Sequence, residues 1–76
     1  MELAQNRVSG KIFVILDDTE GKNFLAVTPD GKIKCLERSL FFFGREINHE
    51  ETESEKLLSD TQLSIYEAYF GETVKN

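Results

Sequence analysis

The 76-residue sequence predicts an α+β fold, in which a three-stranded antiparallel meander packs against one C-terminal helix. Three observations support this prediction: an unbroken apolar run over 12–16, a hairpin signal over 28–32, and a helix whose ends are marked by Ser59 and Gly71. The length corresponds to a single domain over 1–76, because domains typically run from about 50 to 250 residues.

The first strand is predicted over about 8–17. Its centre, 12–16, reads Ile-Phe-Val-Ile-Leu, which is rich in β-branched and aromatic residues and leaves no polar face for water. We therefore expect a strand that is covered on both faces of the sheet. Residues 1–6 are polar and are expected to be frayed.

A hairpin is predicted by the stretch 28–32, which reads Thr-Pro-Asp-Gly-Lys. Pro29 presets φ at the first turn position, and Gly31 supplies the left-handed residue that closes the turn. The turn joins a second strand over about 24–28 to a third over about 32–40. The three predicted strands together make an antiparallel meander. Additional strands would extend this meander to a small partial barrel.

The best-marked element is a helix over about 60–70. Ser59 and Gln62 have the spacing of a capping box, and Gly71 stands where helices commonly end. Three apolar side chains share one stripe at helical spacing: Leu63, Tyr66 and Phe70. This stripe must be covered, and the sheet is the expected cover.

The net charge of −5 lies entirely in the C-terminal third of the chain. Residues 1–49 carry seven basic and seven acidic residues, whereas residues 50–76 carry two lysines and seven acids, and 2 − 7 gives −5. This acidic third is unsuited to a membrane surface or a polyphosphate, because like charges repel.

The sequence also predicts the compartment. No apolar run approaches the roughly 18 residues of a membrane span, and residues 1–6 lack the basic-then-apolar pattern of a signal peptide. Cys35 is the only cysteine, so no internal disulfide can form, and one unpaired thiol suits a reducing environment. We therefore expect a cytoplasmic protein that does not contact a membrane.

Few residues suggest chemistry. An acidic cluster offers metal-ligating side chains: Glu46, His49, Glu50, Glu51 and Glu53. Its members lie in a charged connector, where neighbouring side chains point apart instead of converging on an ion. Asp17 and Asp18 are explained as turn residues, and Cys35 as a small core residue. We expect no enzyme, no metal and no cofactor.

Nucleic-acid binding is the alternative function. Four cations could share one face of the sheet: Lys11, Lys32, Lys34 and Arg38. With a ring such as Phe13 beside them they would form the cationic, aromatic surface of a weak single-strand binder. Against this interpretation, the chain has no overall basic bias, and strand lysines also protect sheet edges from pairing.

Protein interaction is the preferred function. The triplet Phe41, Phe42 and Phe43 cannot place all three rings on one side of a strand, so at least one faces a second layer or a partner. With Tyr69 these rings suggest apolar surface in need of cover. The sequence therefore predicts a non-catalytic module that binds another protein or associates with itself as a homodimer.

Two parts of the chain resemble known proteins. The stretch from Ser9-Gly10-Lys11-Ile12-Phe13-Val14 to the turn at 28–32 resembles the opening strands and tight hairpins of small SH3-like or OB-like barrels. Residues 57–69 are similar to helices of small uncharacterised bacterial proteins, cyanobacterial ones among them. Such a barrel has five strands, so the resemblance implies that 1–7 and 43–50 supply the other two. It implies binding without naming a ligand.

Overall fold

The computed structural model describes residues 1–18, 21–44, 47 and 58–71. These residues form five strands, a 3₁₀ turn and one helix: β1 (Glu2–Asn6), β2 (Ile12–Asp17), β3 (Asn23–Val27), β4 (Ile33–Glu37), the 3₁₀ turn (Arg38–Leu40), β5 (Phe41–Phe43) and α1 (Asp60–Phe70). The strands make one antiparallel sheet in the order β4-β3-β2-β1-β5, whose open edges are β4 and β5. The α+β class is confirmed, but the prediction of three strands is wrong.

The N-terminal residues are not frayed. They form β1, which pairs with β2 on one side and with β5 on the other. The polar residue Gln5, which suggested exposure, is only 3% exposed, and its side-chain amide donates to the carbonyl of Gly10 (3.3 Å). A hydrogen-bonded amide can be buried at little cost, so polarity alone misplaced this strand.

The predicted first and third strands are both too long. Residues 7–9 form a turn, in which the Asn6 side-chain oxygen accepts from the backbone N–H groups of Val8 (2.9 Å) and Ser9 (2.8 Å). The third strand ends at Glu37, and the 3₁₀ turn redirects the chain so that β5 pairs with β1. The Phe triplet is therefore a separate strand on the far edge of the sheet.

One face of the sheet, here called the aromatic face, buries most of the phenylalanines. Its core consists of Ala4, Ile15, Phe24, Ala26 and Phe41, with Phe13, Leu36 and Phe43 packed against it. The ring of Phe24 in β3 lies 5.0 Å from Phe41 and 5.1 Å from Phe43, although two strands separate β3 from β5 in the sheet. The sheet is therefore strongly curved around this face.

The opposite face, here called the helix face, packs against α1. Its buried residues are Ile12, Val14, Leu16, Val27 and Leu58, and Leu63, Ile65 and Tyr66 of the helix pack against them. The expectation that 12–16 is covered on both faces is confirmed. The bounds of the helix are also confirmed: the capping box of Ser59 and Gln62 starts it, and Gly71 caps its C-terminus.

The side-chain amide of Gln62 attaches the helix to the sheet. Its Nε2 donates to the backbone carbonyls of Ile12 (2.8 Å) and Val27 (3.2 Å), and its Oε1 accepts from the backbone N–H of Ser59 (3.0 Å). The residue is only 1% exposed. The two bonds to the sheet carbonyls are buried and the bond to Ser59 is partly buried, so a lost partner would leave a buried polar atom without its hydrogen bond.

We expect Gln62→Glu to lower the free energy of unfolding by about 2–4 kcal/mol, because a carboxylate would face two carbonyl oxygens without a proton to donate. The loss should shrink as the pH is lowered, since the protonated carboxyl can donate again. Urea denaturation at several pH values measures both effects. The exposed isosteric change Glu67→Gln is the control, and an equal effect of the two changes would contradict this role for Gln62.

Gly31 is required where the β3–β4 turn meets the start of the helix. Its φ is +88°, and an added Cβ would overlap Cγ2 of Thr61 and lie 3.2 Å from Cβ of the same residue. We expect Gly31→Ala to cost about 2 kcal/mol or more, from left-handed strain and from displacement of the helix. Gly21→Ala is the control, because nothing lies within 4 Å of its added Cβ. Equal denaturation midpoints for the two variants would refute the close approach.

Candidate functional site

The three phenylalanines of β5 lie on different faces. In register with β1, Phe41 and Phe43 belong to the aromatic face, whereas Phe42 lies on the helix face opposite Gln5. The expectation that the rings cannot share one side is therefore confirmed. Phe41 is 3% exposed and offers almost no area to a partner, while Phe42 and Phe43 are half-buried.

The 3₁₀ turn connects the two edge strands and gathers basic residues that are far apart in sequence. At its start, the backbone N–H of Arg38 donates to the carbonyl of Lys22 (2.7 Å). At its end, the carbonyl of Leu40 accepts from the backbone N–H of Arg7 (2.9 Å). Main-chain hydrogen bonds therefore fix the backbones of these three basic residues around one short turn.

Two of these cations lie over the half-buried rings of β5. The guanidinium carbon of Arg7 is 4.3 Å from the ring centre of Phe42, and that of Arg38 is 4.6 Å from the ring centre of Phe43. Arg38 also forms an ion pair with Asp18. Each ring restricts the motion of a guanidinium and adds about 0.5–1 kcal/mol of attraction at such exposed positions.

Two cavities meet at Arg38 and Phe43, which line both of them. The first, here called the basic cavity, has a volume of about 560 Å³ and is lined by Arg7, Gly21, Lys22, Glu37, Arg38, Ser39, Phe41 and Phe43. The second, here called the apolar cavity, has a volume of about 440 Å³ and is lined by Met1, Glu2, Leu3, Ile15, Asp18, Arg38, Phe43, Gly44 and Ile47. Both volumes fall within the range of small-molecule sites.

The structure does not gather the four cations of the nucleic-acid hypothesis. Lys32 and Lys34 act on Asp30 beside the β3–β4 turn, whereas Arg38 follows the far end of β4. Six strand steps separate Lys32 from Arg38, which is roughly 20 Å at about 3.3 Å per residue. Lys11 precedes β2, and neither cavity is lined by it, Lys32 or Lys34. Only Arg38 of this set belongs to the candidate site.

Tyr69 is 45% exposed near the end of α1, and its ring packs against that of Phe70 (5.0 Å between ring centres). Phe70 was predicted to share the covered stripe of the helix, but it is also exposed and contacts Tyr66 (4.7 Å). The exposed end of the helix thus carries a second aromatic group. Tyr69 lines neither cavity.

Three of the residues considered for chemistry lie in the described part of the chain: Asp17, Asp18 and Cys35. Asp17 is exposed at the end of β2, and Asp18 pairs with Arg38. Cys35 is exposed on β4, so its prediction as a core residue is wrong; edge position, which the sequence did not reveal, explains the exposure. The cluster Glu46, His49, Glu50, Glu51 and Glu53 lies outside the described residues.

Within 1–18, 21–44, 47 and 58–71, no three His, Cys, Asp or Glu side chains are placed to hold a metal ion. Over the same residues, no helix is long and apolar enough to cross a membrane. Comparison with protein families, curated proteins and solved structures found no match. The resemblance to SH3-like or OB-like barrels and to small bacterial proteins stays a prediction.

Sequence reasoning missed Arg7 and Lys22. Nothing in their spacing links either residue to Arg38, because the link is made by backbone hydrogen bonds to the 3₁₀ turn. Arg38 and Phe43 were each singled out, but for two different functions. The structure brings the two residues together in one site.

The pKa of Asp30 is held below its ordinary value of 3.8, first by the hydroxyl of Thr28, then by the backbone, with Lys32 and Lys34 adding to the effect. We expect Thr28→Val to raise this pKa toward the ordinary value, as measured by NMR titration of the carboxyl carbon. Because the native pKa is lowered, the Asp30 carboxylate stabilises the fold above the unfolded-state pKa. This contribution is lost as the pH falls through the native pKa. An unchanged pKa in Thr28→Val would contradict this assignment.

Proposed function

We propose that the chain is a non-catalytic protein-interaction module, and that the basic cavity with its Arg38–Phe43 border is the binding surface. The observation that carries the proposal is the convergence of Arg7, Lys22 and Arg38 beside the half-buried ring of Phe43 at the 3₁₀ turn. Arginine and aromatic residues are the types that most often dominate binding energy at protein interfaces.

Restriction of the site before binding supports this proposal. Ordering a long side chain at an interface costs about 0.5–1.5 kcal/mol. Here the backbones are hydrogen-bonded to one turn, and the guanidinium group of Arg38 already lies over the ring of Phe43, which lines the same cavity. Much of that ordering cost therefore falls on folding instead of on binding.

A weak single-stranded nucleic-acid binder is the second candidate, because a cationic groove beside aromatic rings is also the arrangement of such proteins. The signs of the neighbouring charges favour a protein. Glu37 lines the basic cavity, and Glu2 and Asp18 line the apolar cavity next to it. A phosphate chain that continued from one cavity to the other would meet these carboxylates.

Self-association is a form of the same proposal. The acidic residues 50–76 carry a net charge of −5, which is opposite in sign to the three cations of the basic cavity. A second copy of the chain is therefore one protein that the site could bind, and the concentration dependence of the molecular mass distinguishes it from a foreign partner.

The test is affinity capture from the lysate of the native host, with and without nuclease, followed by mass spectrometry. We compare the wild-type chain with the double variant Arg7→Gln/Arg38→Gln. The control is Lys32→Gln/Lys34→Gln, which removes the same charge outside both cavities. We expect a nuclease-resistant protein whose recovery falls at least tenfold with the first variant only. Thermal unfolding checks that each variant is folded.

Other outcomes identify the error. Captured material that disappears with nuclease would establish the nucleic-acid candidate instead. Equal loss in both double variants would show a response to net charge and not to the site. Recovery of the bait alone would overturn binding to a foreign protein. Self-association would then be tested by sedimentation: the wild-type chain should sediment as an oligomer, and Arg7→Gln/Arg38→Gln should sediment as a monomer.

A further inference from the structure

We infer that the site takes an extended polypeptide segment in which an acidic residue adjoins a large apolar one. The acidic side chain binds in the basic cavity and the apolar side chain enters the apolar cavity. Asp18 is an internal competitor that limits the affinity by occupying Arg38. This inference rests on the proposed function and names the chemistry of the partner.

The charge of the basic cavity selects a carboxylate. Three cations and one acid line it, so its excess charge is positive: Arg7, Lys22 and Arg38 against Glu37. A planar guanidinium can bind both oxygens of a carboxylate through two parallel N–H donors. The guanidinium of Arg38 lies over the ring of Phe43, and its Nη1 donates to a carboxylate oxygen of Asp18.

Asp18 already makes part of this interaction. Its carboxylate pairs with Arg38, and the two side chains are 31% and 36% exposed, respectively. An ion pair this accessible to water contributes only about 0–1 kcal/mol, so an incoming carboxylate can compete with it. The carboxylate of Asp18 therefore lowers the positive potential at Arg38 and weakens the binding of an acidic ligand.

The apolar cavity selects the neighbouring residue. Most of its lining is hydrophobic: Met1, Leu3, Ile15, Phe43 and Ile47. The charged side chains other than Arg38 on this lining are the carboxylates of Glu2 and Asp18, which disfavour a second anion. Since Arg38 and Phe43 border both cavities, adjacent residues of one extended segment can occupy the two sites.

This arrangement distinguishes a polypeptide from a nucleic acid. Every nucleotide of a single strand brings another phosphate, whereas a polypeptide can place a neutral apolar side chain directly beside one carboxylate. Burying apolar area contributes roughly 25 cal/mol per Å², which a phosphate backbone cannot exploit in the same cavity. The combination of one basic and one apolar cavity therefore favours the polypeptide.

The test uses a panel of capped hexapeptides that carry no terminal charge. Their centres are Glu-Leu, Leu-Glu, Glu-Phe and Phe-Glu, flanked by Gly and Ser, with matched peptides in which Gln replaces Glu or Gly replaces the apolar residue. Binding is followed by ¹H–¹⁵N NMR. We expect at least one acidic peptide to shift the amide signals of Lys22, Arg38 and Phe43, and each matched replacement to weaken its binding tenfold or more.

Substitutions then test the competition. We expect Asp18→Asn to tighten binding of that peptide threefold or more and Arg38→Gln to weaken it tenfold or more. Lys34→Gln also removes one positive charge, but Lys34 lines neither cavity, so this variant should change the affinity less than twofold. Unchanged affinity in Asp18→Asn would overturn the competitor role.

Failure of this inference is separable from failure of the proposed function. No binding by any peptide of the panel, or equal binding by the Gln peptides, would overturn the acidic–apolar chemistry. The lysate capture that depends on Arg7 and Arg38 would be unaffected by that result. A twelve-nucleotide polythymidine is the nucleic-acid probe. If it binds more tightly than every peptide and this binding is lost in Arg7→Gln/Arg38→Gln, the result would overturn both this inference and the proposed protein-binding function.

Discussion

The hydrogen bonds of the Gln62 amide are the interaction on which the rest of the structure depends. This one side chain closes the capping box that starts α1, and it also binds the carbonyls of Ile12 and Val27 in the sheet. The last residue pair between β2 and β3 at this end is Val14 with Val27, and Ile12 lies beyond it. The amide therefore connects the two strands where their backbone pairing has ended. An unsatisfied buried polar group costs about 1–3 kcal/mol. Only one docked position of the helix makes all of these hydrogen bonds, so that position is favoured.

The placement of the helix dictates how the other face is buried. α1 covers the helix face, and among the described residues no second helix covers the aromatic face. The sheet instead curves until Phe24 of β3 touches Phe41 and Phe43 of β5. This curvature brings the open edges of the sheet toward each other, and the 3₁₀ turn spans the gap between them. The cations of the candidate site are gathered there as a consequence of how the core closes.

The elements that sequence predicted well are those whose signals are local. The capping box of Ser59 and Gln62 and the glycines at 31 and 71 act within a few residues, so the helix and the hairpin were predicted almost to the residue. β1 and β5 have no such local signal. Gln5 is buried because its amide finds the carbonyl of Gly10, and β5 is a separate strand because the 3₁₀ turn redirects it onto β1. Pairing partners decide both strands, and a single sequence does not display them.

The candidate site shows the same division. Residue type was enough to single out Arg38 and Phe43, because cations and exposed aromatic rings are common in binding surfaces. Residue type was not enough to associate Arg38 and Phe43 with Arg7 and Lys22. The positions of Arg7 and Lys22 depend on backbone hydrogen bonds to the two ends of the 3₁₀ turn. The hypothesis built on Lys32 and Lys34 used the alternation of a strand correctly, but it took no account of where the strand ends.

The charge of the whole chain and the charge of the site act on different length scales. At physiological ionic strength charges are screened beyond about 8 Å, so a ligand bound at Arg38 responds mainly to the groups around the two cavities. Those groups carry both signs: the cations are Arg7, Lys22 and Arg38, and the carboxylates are Glu2, Asp18 and Glu37. A long polyanion would meet both these carboxylates and the net charge of −5, whereas a short segment with one carboxylate meets mainly the cations. The acidic composition of the chain is therefore compatible with an anion-binding site, provided that the anion is short.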